Sequence, residues 1–188
     1  GKDANEVGGM SRQVGEEISE EAAATMSTAL VSASFAGSSV EDKPYRRSPA
    51  APFMTAALQQ EASRKLRWGA QRTMRVAQGL YESGAITYMR TDGVDIAGEA
   101  ISAARRTIAN RYDSGYVPDK PRQYTSKIKN AQEAHEAIRP TDFDRQKAGS
   151  DDSARLYELV YNRALASQMA SARLERTTVE LSEGAGRA

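Results

Sequence analysis

Gly84-Ala85-Ile86-Thr87-Tyr88-Met89-Arg90-Thr91-Asp92-Gly93 follows a helix-like run, reads as a short buried strand through Ile86, and ends in polar residues and a glycine. Tyr88 therefore stands at the end of a rigid element, where the chain turns back toward solvent. Side chains alternate along an extended segment, so Arg90 projects to the same side as Tyr88. A phenol beside a guanidinium suits chemistry at phosphorus: the phenolic oxygen attacks, and the cation neutralises the oxyanions of the transition state. A core tyrosine followed by a solvent-facing arginine satisfies the same spacing. Tyr-x-Arg alone does not choose between the two in a chain with eight tyrosines.

Outward from that stretch the pattern is helical. Upstream, residues 70–83 carry Met74, Ala77 and Tyr81 on one stripe, and Gly84 supplies a left-handed stop. Before them, Thr55 is placed to cap a helix over residues 55–66 with Leu58, Ala62 and Leu66 on one face. Two short helices separated by Arg67-Trp68-Gly69 and followed by a strand suggest a helix-turn-helix or winged-helix-like arrangement. Arg64, Lys65, Arg67, Arg72 and Arg75 suit either phosphate contact or a solvated helix face.

Downstream, Asp95 is placed to cap a helix over residues 95–111, with Ile96, Ala100, Ala104 and Ile108 inward. A long loop with prolines and lysines covers residues 112–129. Asn130 with Glu133 makes a capping-box-like start for a short helix that must stop near Arg139, before Pro140. On that helix His135 and Arg139 share a face, suited to gripping a phosphodiester at two oxygens. A histidine satisfied by a backbone carbonyl fits the same position. A further helix begins at Asp152 or Ser153 and runs to about Met169.

The outer parts differ in character. Residues 1–18 read as a loop or frayed strand, and Ser19 before Glu20-Glu21 marks a helix start. Residues 34–42 suit a strand with Phe35 and Val40 inward, and residues 174–181 suit another. Between them lies the clearest boundary, Lys43-Pro44-Tyr45-Arg46-Arg47-Ser48-Pro49-Ala50-Ala51-Pro52, whose prolines hold the backbone extended. Charge follows the same division. Residues 1–47 carry 5 basic and 8 acidic side chains, residues 48–145 carry 15 and 11, and residues 146–188 carry 6 of each. The positive excess falls on the middle segment, which favours a polyanionic partner and is equally compatible with an ordinary solvated surface.

Several chemistries lack their residues. With no cysteine and a single histidine, a cysteine hydrolase and a cysteine-based zinc site are excluded, and no strained Gly-x-Ser-x-Gly turn is present. Walker and dinucleotide phosphate loops are absent. Asp142-Phe143-Asp144 offers too few oxygen ligands for a metal and reads as a surface turn. No apolar run approaches membrane-spanning length.

Three ordered segments carry a family resemblance. Ile86-Thr87-Tyr88-Met89-Arg90-Thr91-Asp92 closely resembles the active-site segment of type IA DNA topoisomerases. Pro52-Phe53-Met54-Thr55-Ala56-Ala57-Leu58-Gln59-Gln60-Glu61-Ala62 upstream agrees with it, as does Asn130-Ala131-Gln132-Glu133-Ala134-His135-Glu136-Ala137-Ile138-Arg139-Pro140-Thr141 downstream. The resemblance covers about residues 40–182 and implies an α+β, mostly helical fold. It implies a winged-helix-like tyrosine domain over residues 48–170, flanked by two pieces of a β-containing hinge domain, residues 1–47 and 171–188.

By the same resemblance Tyr88 forms a 5′-phosphotyrosyl bond with one strand of negatively supercoiled DNA, Arg90 is its catalytic partner and Asp92 supports them. His135, Arg139, Thr55 and Gln59 contact DNA or its phosphates. No metal site is expected in this chain; Mg2+ is expected through carboxylates of a separate N-terminal domain, with the rest of the polypeptide as partner and the bacterial cytoplasm, at the nucleoid, as location. The opening and closing residues look like cuts in a longer protein, so this chain alone is expected to be inactive. Ala56-Ala57 and Gly93 depart from the hydroxyl residues common in the family and put DNA positioning in question. Two alternatives stand beside this reading: a non-catalytic winged-helix-like DNA-binding module, and a tyrosine recombinase, which would leave the opposite 3′-phosphotyrosyl linkage.

Overall fold

A computed structural model describes residues 4–7, 10–13, 18–124 and 136–183. The chain divides into two compact units, one formed by Gly1–Arg46 with Arg173–Ala188 and the other by Arg47–Ala172.

In the first unit, β1 (Ala4–Val7) pairs antiparallel with β2 (Met10–Gln13), Ala4 opposite Gln13 and Val7 opposite Met10. Helix α1 (Glu20–Ser32) starts as its sequence dictates: the Ser19 hydroxyl accepts from the Ala22 amide at 3.2 Å, and Glu20 and Glu21 complement the exposed N–H groups. Strand β3 (Phe35–Arg47) pairs with β4 (Ala172–Glu183). Ser38 and Ser39 bond Glu180, whereas Thr177 bonds Asp42, an order that makes the pair antiparallel. The strand expected over residues 34–42 thus runs on through Pro44 to Arg47. Its expected inward face is not there: Phe35 is 41% and Val40 68% exposed. Alternation buries one face of a strand only when a second layer covers it, and every residue of β3 is exposed.

The second unit holds the core. It contains α2 (Thr55–Leu66), α3 (Ala70–Glu82), α4 (Gly98–Arg111), a short 3-10 turn (Ser114–Tyr116) and α5 (Asp151–Ser167). Helix α3 packs against both α2 and α5, and α5 also meets α4. The buried face of α3 is Thr73, Ala77 and Leu80, one turn-step away from the stripe anticipated through Met74 and Tyr81. Tyr81 is exposed instead, and Met74 is only partly buried. Helix α5 contributes Leu156, Tyr157, Val160 and Leu165 to the same interior as Phe53, Leu58, Ile86, Met89 and Ile108. Trp68 lies under two guanidiniums, Arg72 at 4.8 Å and Arg155 at 5.6 Å. The Asp142-Phe143-Asp144 segment is a turn as expected: the Asp144 amide donates to Asp142 Oδ1, and Phe143 is buried.

Two sets of readings in this unit are corrected, the helix before Pro140 and the helix caps. The helix expected to end near Arg139 is not helical in its described half. Residues 136–140 are extended, with Glu136 bridged parallel to Asp95, Ile138 antiparallel to Phe53 and Pro140 antiparallel to Ile86. Four consecutive residues there, Ala137 to Pro140, are buried; burial on both faces is a strand property, and Pro140 also drives residue 139 out of helical geometry. Second, Thr55 is the first residue of α2 and not its cap, which is Met54. Asp95 likewise does not cap α4; the N-cap is Ala97, whose amide donates to the Glu136 carboxylate at 2.9 Å. Among the described residues the strand content of this unit is the three single bridges, a helical architecture with a small extended seam.

Three tyrosines tie the interior to the loops. Tyr157 donates to the Arg145 carbonyl, Tyr161 to that of Phe143 and Tyr124 to those of Pro49 and Ser167. Burial pushes the Tyr157 phenol up to about 12 and raises those of Tyr161 and Tyr124 as well. In the unfolded chain each ionises at its ordinary value of about 10. Stability from these groups is therefore complete below about pH 10 and is lost as pH rises through the folded values. Ultraviolet titration of the phenols should show a late-ionising fraction that appears together with loss of helical circular dichroism. Tyr157→Phe should shrink that fraction; an unchanged late fraction would contradict the assignment.

Candidate active site around Tyr88

The loop carrying Tyr88 leaves α3 by a helix stop built from backbone. Gly84 adopts φ 69°, and the amides of Gly84 and Ala85 reach back to the carbonyls of Tyr81 and Leu80. Ala85 and Ile86 are then fully buried, so the chain enters the core before it re-emerges at Tyr88. Tyr88 is 46% exposed, whereas Met89 is 1% exposed beside it. Arg90 is exposed again. The alternation inferred for Tyr88 and Arg90 is thus present, with Met89 as the anchor between them.

Both shoulders of this loop are held by threonine hydroxyls. On the near side, Thr87 Oγ1 donates to the Ala137 carbonyl at 2.7 Å and accepts from the Arg139 amide at 3.0 Å, while the Thr87 amide donates to the Arg139 carbonyl at 2.9 Å. On the far side, Thr55 Oγ1 reaches the carbonyls of Met89 at 2.8 Å and Thr91 at 3.0 Å, and accepts from the Thr91 amide at 2.8 Å. The Thr55 amide donates to the Thr91 carbonyl as well, at 2.9 Å. Thr91 Oγ1 then accepts from the amide of the buried Gly93. A hydroxyl has one proton and two lone pairs, and those of Thr55 and Thr87 are occupied as both donor and acceptor. The result fixes the backbone on either side of Tyr88 and leaves its ring facing solvent. Thr87 and Thr91 were not among the site residues read from the sequence; their position flanking the tyrosine inside the motif was the available signal.

The remaining anticipated residues fall in different places. Tyr81 meets the Tyr88 ring edge-on, with centroids 5.3 Å apart at 69°. Gln59 and Arg90 line one open groove of about 490 Å3, together with Ala70, Gln71, Met74, Arg75 and Gln78. Asp92 is exposed. Arg139 is buried, with Nε and Nη2 bidentate on Glu136 at 2.7 and 2.9 Å and Nη1 donating to the Pro140 carbonyl at 2.9 Å. That guanidinium is committed to holding the extended seam, and Glu136 passes the link to the start of α4. His135 lies outside the described residues. Among the described residues no three His, Cys, Asp or Glu side chains converge.

The arrangement offers an accessible phenol on a rigid loop, a nearby guanidinium and a groove lined by amides and cations. It can present an oxygen nucleophile to a bulky anionic ester that approaches from solvent.

Comparison with known proteins agrees in scope with this geometry. A family profile described as DNA topoisomerase matches residues 2–187. The chain is 68% identical over 152 residues to DNA topoisomerase 1 of Zymomonas mobilis, covering 81% of this chain and 12% of that protein. It is 48% identical over 186 residues to DNA topoisomerase 1 of Streptomyces coelicolor, covering 96% of this chain and 19% of that protein. Among solved structures, full-length topoisomerase I from Thermotoga maritima matches with a TM-score of 0.69 at 31% identity, over 98% of this chain and 31% of that one.

Proposed function

The chain belongs to the bacterial type IA family of DNA topoisomerases, and from that premise we propose that Tyr88 is the residue that cuts and reseals one DNA strand. The Tyr88 oxygen attacks a backbone phosphorus; the new O–P bond forms as the bond from phosphorus to the 3′-oxygen breaks. The phenolic proton is lost and the departing 3′-oxygen gains one. The strand's 5′-phosphate is then esterified to Tyr88, and attack by the 3′-hydroxyl reverses both changes. Bond energy is kept in the phosphotyrosyl ester, so no nucleotide triphosphate is consumed while negative supercoils relax. The observation that carries this reading is the exposed Tyr88 ring on a backbone held from both sides.

Arg90 is assigned to the developing charge on the phosphate oxygens, and Asp92 to supporting it. Gln59 faces the same groove as Arg90 and is assigned to DNA contact. The hydroxyl of Thr55 is already spent on Met89 and Thr91, which supports a positioning role in place of phosphate contact. For Arg139, direct phosphate contact would first require opening the pair with Glu136; His135 is assigned to phosphate. Residues 48–170 are read as the gate that carries the tyrosine, and residues 1–47 and 171–188 as parts of a hinge. Mg2+ is assigned to carboxylates elsewhere in a longer polypeptide, since the described residues do not gather them. The substrate is a single-stranded segment of negatively supercoiled DNA, and the place of action the cytoplasm at the nucleoid. No described helix is long and apolar enough to cross a membrane.

The test is relaxation of negatively supercoiled plasmid by the full-length polypeptide that carries this chain, with magnesium and without ATP. Relaxation accompanied by a trapped protein–DNA adduct is expected. Relaxation that requires ATP, or proceeds with no adduct, would refute the reading.

A further inference from the structure

The groove beside Arg90 has a composition that strand scission alone does not call for. Helix α3 presents two faces of opposite character. Thr73, Ala77 and Leu80 face the core, whereas Ala70, Gln71, Met74, Arg75 and Gln78 form a stripe at helical spacing along the opposite side. Gln59 of α2 and Arg90 of the tyrosine loop complete the lining of this cavity of about 490 Å3. That volume lies within the range of about 300–1,000 Å3 of small-molecule sites. No carboxylate lines it. Among the described residues neither Arg75 nor Arg90 forms an ion pair with Asp or Glu.

Each part of the lining matches one part of a nucleotide. Two guanidiniums with no ion pair among the described residues suit phosphate oxygens. Three side-chain amides suit the edge of a base without demanding one particular base; Gln78 donates one N–H to the Glu82 carboxylate at 2.6 Å and keeps its other N–H and its carbonyl oxygen. The Met74 thioether, partly buried between them, gives a polarizable surface against an aromatic ring. Arg90 belongs at once to this groove and to the segment of Tyr88, so a strand whose phosphate is at Tyr88 passes directly into it.

We infer that this groove is a nucleotide subsite: it holds the single-stranded nucleotide adjoining the phosphate attacked by Tyr88, with Arg75 and Gln71 at the end remote from the tyrosine loop. The inference rests on the proposed strand-cutting role and adds residues that set the grip and register of the strand.

The experiment measures binding of single-stranded oligonucleotides to the full-length Tyr88→Phe polypeptide, so that scission does not intervene. Arg75→Ala should weaken binding about tenfold at low salt, the loss expected for one charge-assisted hydrogen bond. It should also flatten the dependence of log K on log salt by about 0.7, the value for one phosphate on a single strand. Gln71→Glu, which places a carboxylate in the groove, should weaken binding further, and Arg75→Lys should recover most of the loss. Shortening the oligonucleotide on one side of the scissile phosphate should abolish the Arg75→Ala effect, whereas shortening it on the other should not. Equal affinities of Arg75→Ala and the parent across the salt range would overturn the inference, as would an effect indifferent to both truncations. A wild-type protein that forms no adduct while these binding effects persist would instead overturn the strand-cutting role, and with it the register of the subsite relative to Tyr88, and leave only a groove that binds single strands.

Discussion

Tyr88→Phe in the full-length polypeptide should abolish the covalent DNA adduct and plasmid relaxation, and should leave DNA binding and folding nearly intact. The substitution removes one oxygen from a ring that is 46% exposed and makes no recorded hydrogen bond through that oxygen within the described residues. Surface changes of this kind usually alter stability by no more than about 0.5 kcal/mol. The remaining ring keeps its edge-on contact with Tyr81. Loss of activity is total in principle because no other group replaces a missing nucleophile in a covalent mechanism. Tyr81 supplies the control. It is also exposed and lies 5.3 Å from Tyr88, centroid to centroid, yet it sits on α3 and not on the loop stapled by Thr55 and Thr87. Tyr81→Phe should keep the adduct. A Tyr88→Phe protein that still traps DNA, with trapping lost in Tyr81→Phe, would transfer the chemistry to the wrong ring for this account.

The isolated 188-residue chain, by contrast, should neither cleave nor relax DNA at a measurable rate. In their proposed roles Tyr88 and Arg90 would supply attack and charge neutralisation, which is half of a transesterification. The departing 3′-oxygen needs a proton, and a positioned general acid contributes about 10²–10⁴-fold. Neither Tyr88 nor Arg90 is assigned that task, and the chain's one histidine, His135, is assigned to phosphate. Strand passage also needs a second body to hold the free DNA end, and the chain spans 12% to 19% of the length of the curated relatives cited above. Incubation with magnesium and supercoiled plasmid should leave the topoisomer distribution unchanged. Relaxed topoisomers that vanish with Tyr88→Phe would mean that this chain contains a complete active site.

The sequence made some of this legible and concealed the rest for physical reasons. Helix boundaries at Thr55, Leu66, Ala70 and Arg111 follow from periodicity and from Arg67-Trp68-Gly69, because helices are specified by neighbours three and four residues apart. The exposure of Tyr88 and Arg90 about a buried Met89 follows from simple alternation. The seam at residues 136–140 does not. Its partners are Asp95, Phe53 and Ile86, three distant parts of the chain, whereas its local pattern reads as helical because Asn130 and Glu133 make a capping-box-like start and His135 and Arg139 stand four residues apart. The ion pair that Arg139 makes is with Glu136, on extended backbone. Thr55 misled in a related way. A threonine at a helix start is the ordinary signature of a cap, and the same hydroxyl here bonds the Tyr88 loop. Which of the two uses prevails depends on whether another segment arrives in reach, and local sequence does not encode that.

The central claim is that Tyr88 carries the 5′ end of the cut strand. The most direct test traps the adduct formed by the full-length protein on oligonucleotides labelled at one end or the other, followed by proteolysis and sequencing of the DNA-bearing peptide. A 3′-end label should remain with the protein while a 5′-end label is released on a fragment with a free 3′-hydroxyl. The modified residue should be Tyr88 within the tryptic peptide 76–90, which also contains Tyr81. Retention of the 5′-end label, or modification at Tyr81 or at any residue outside that peptide, would contradict the account.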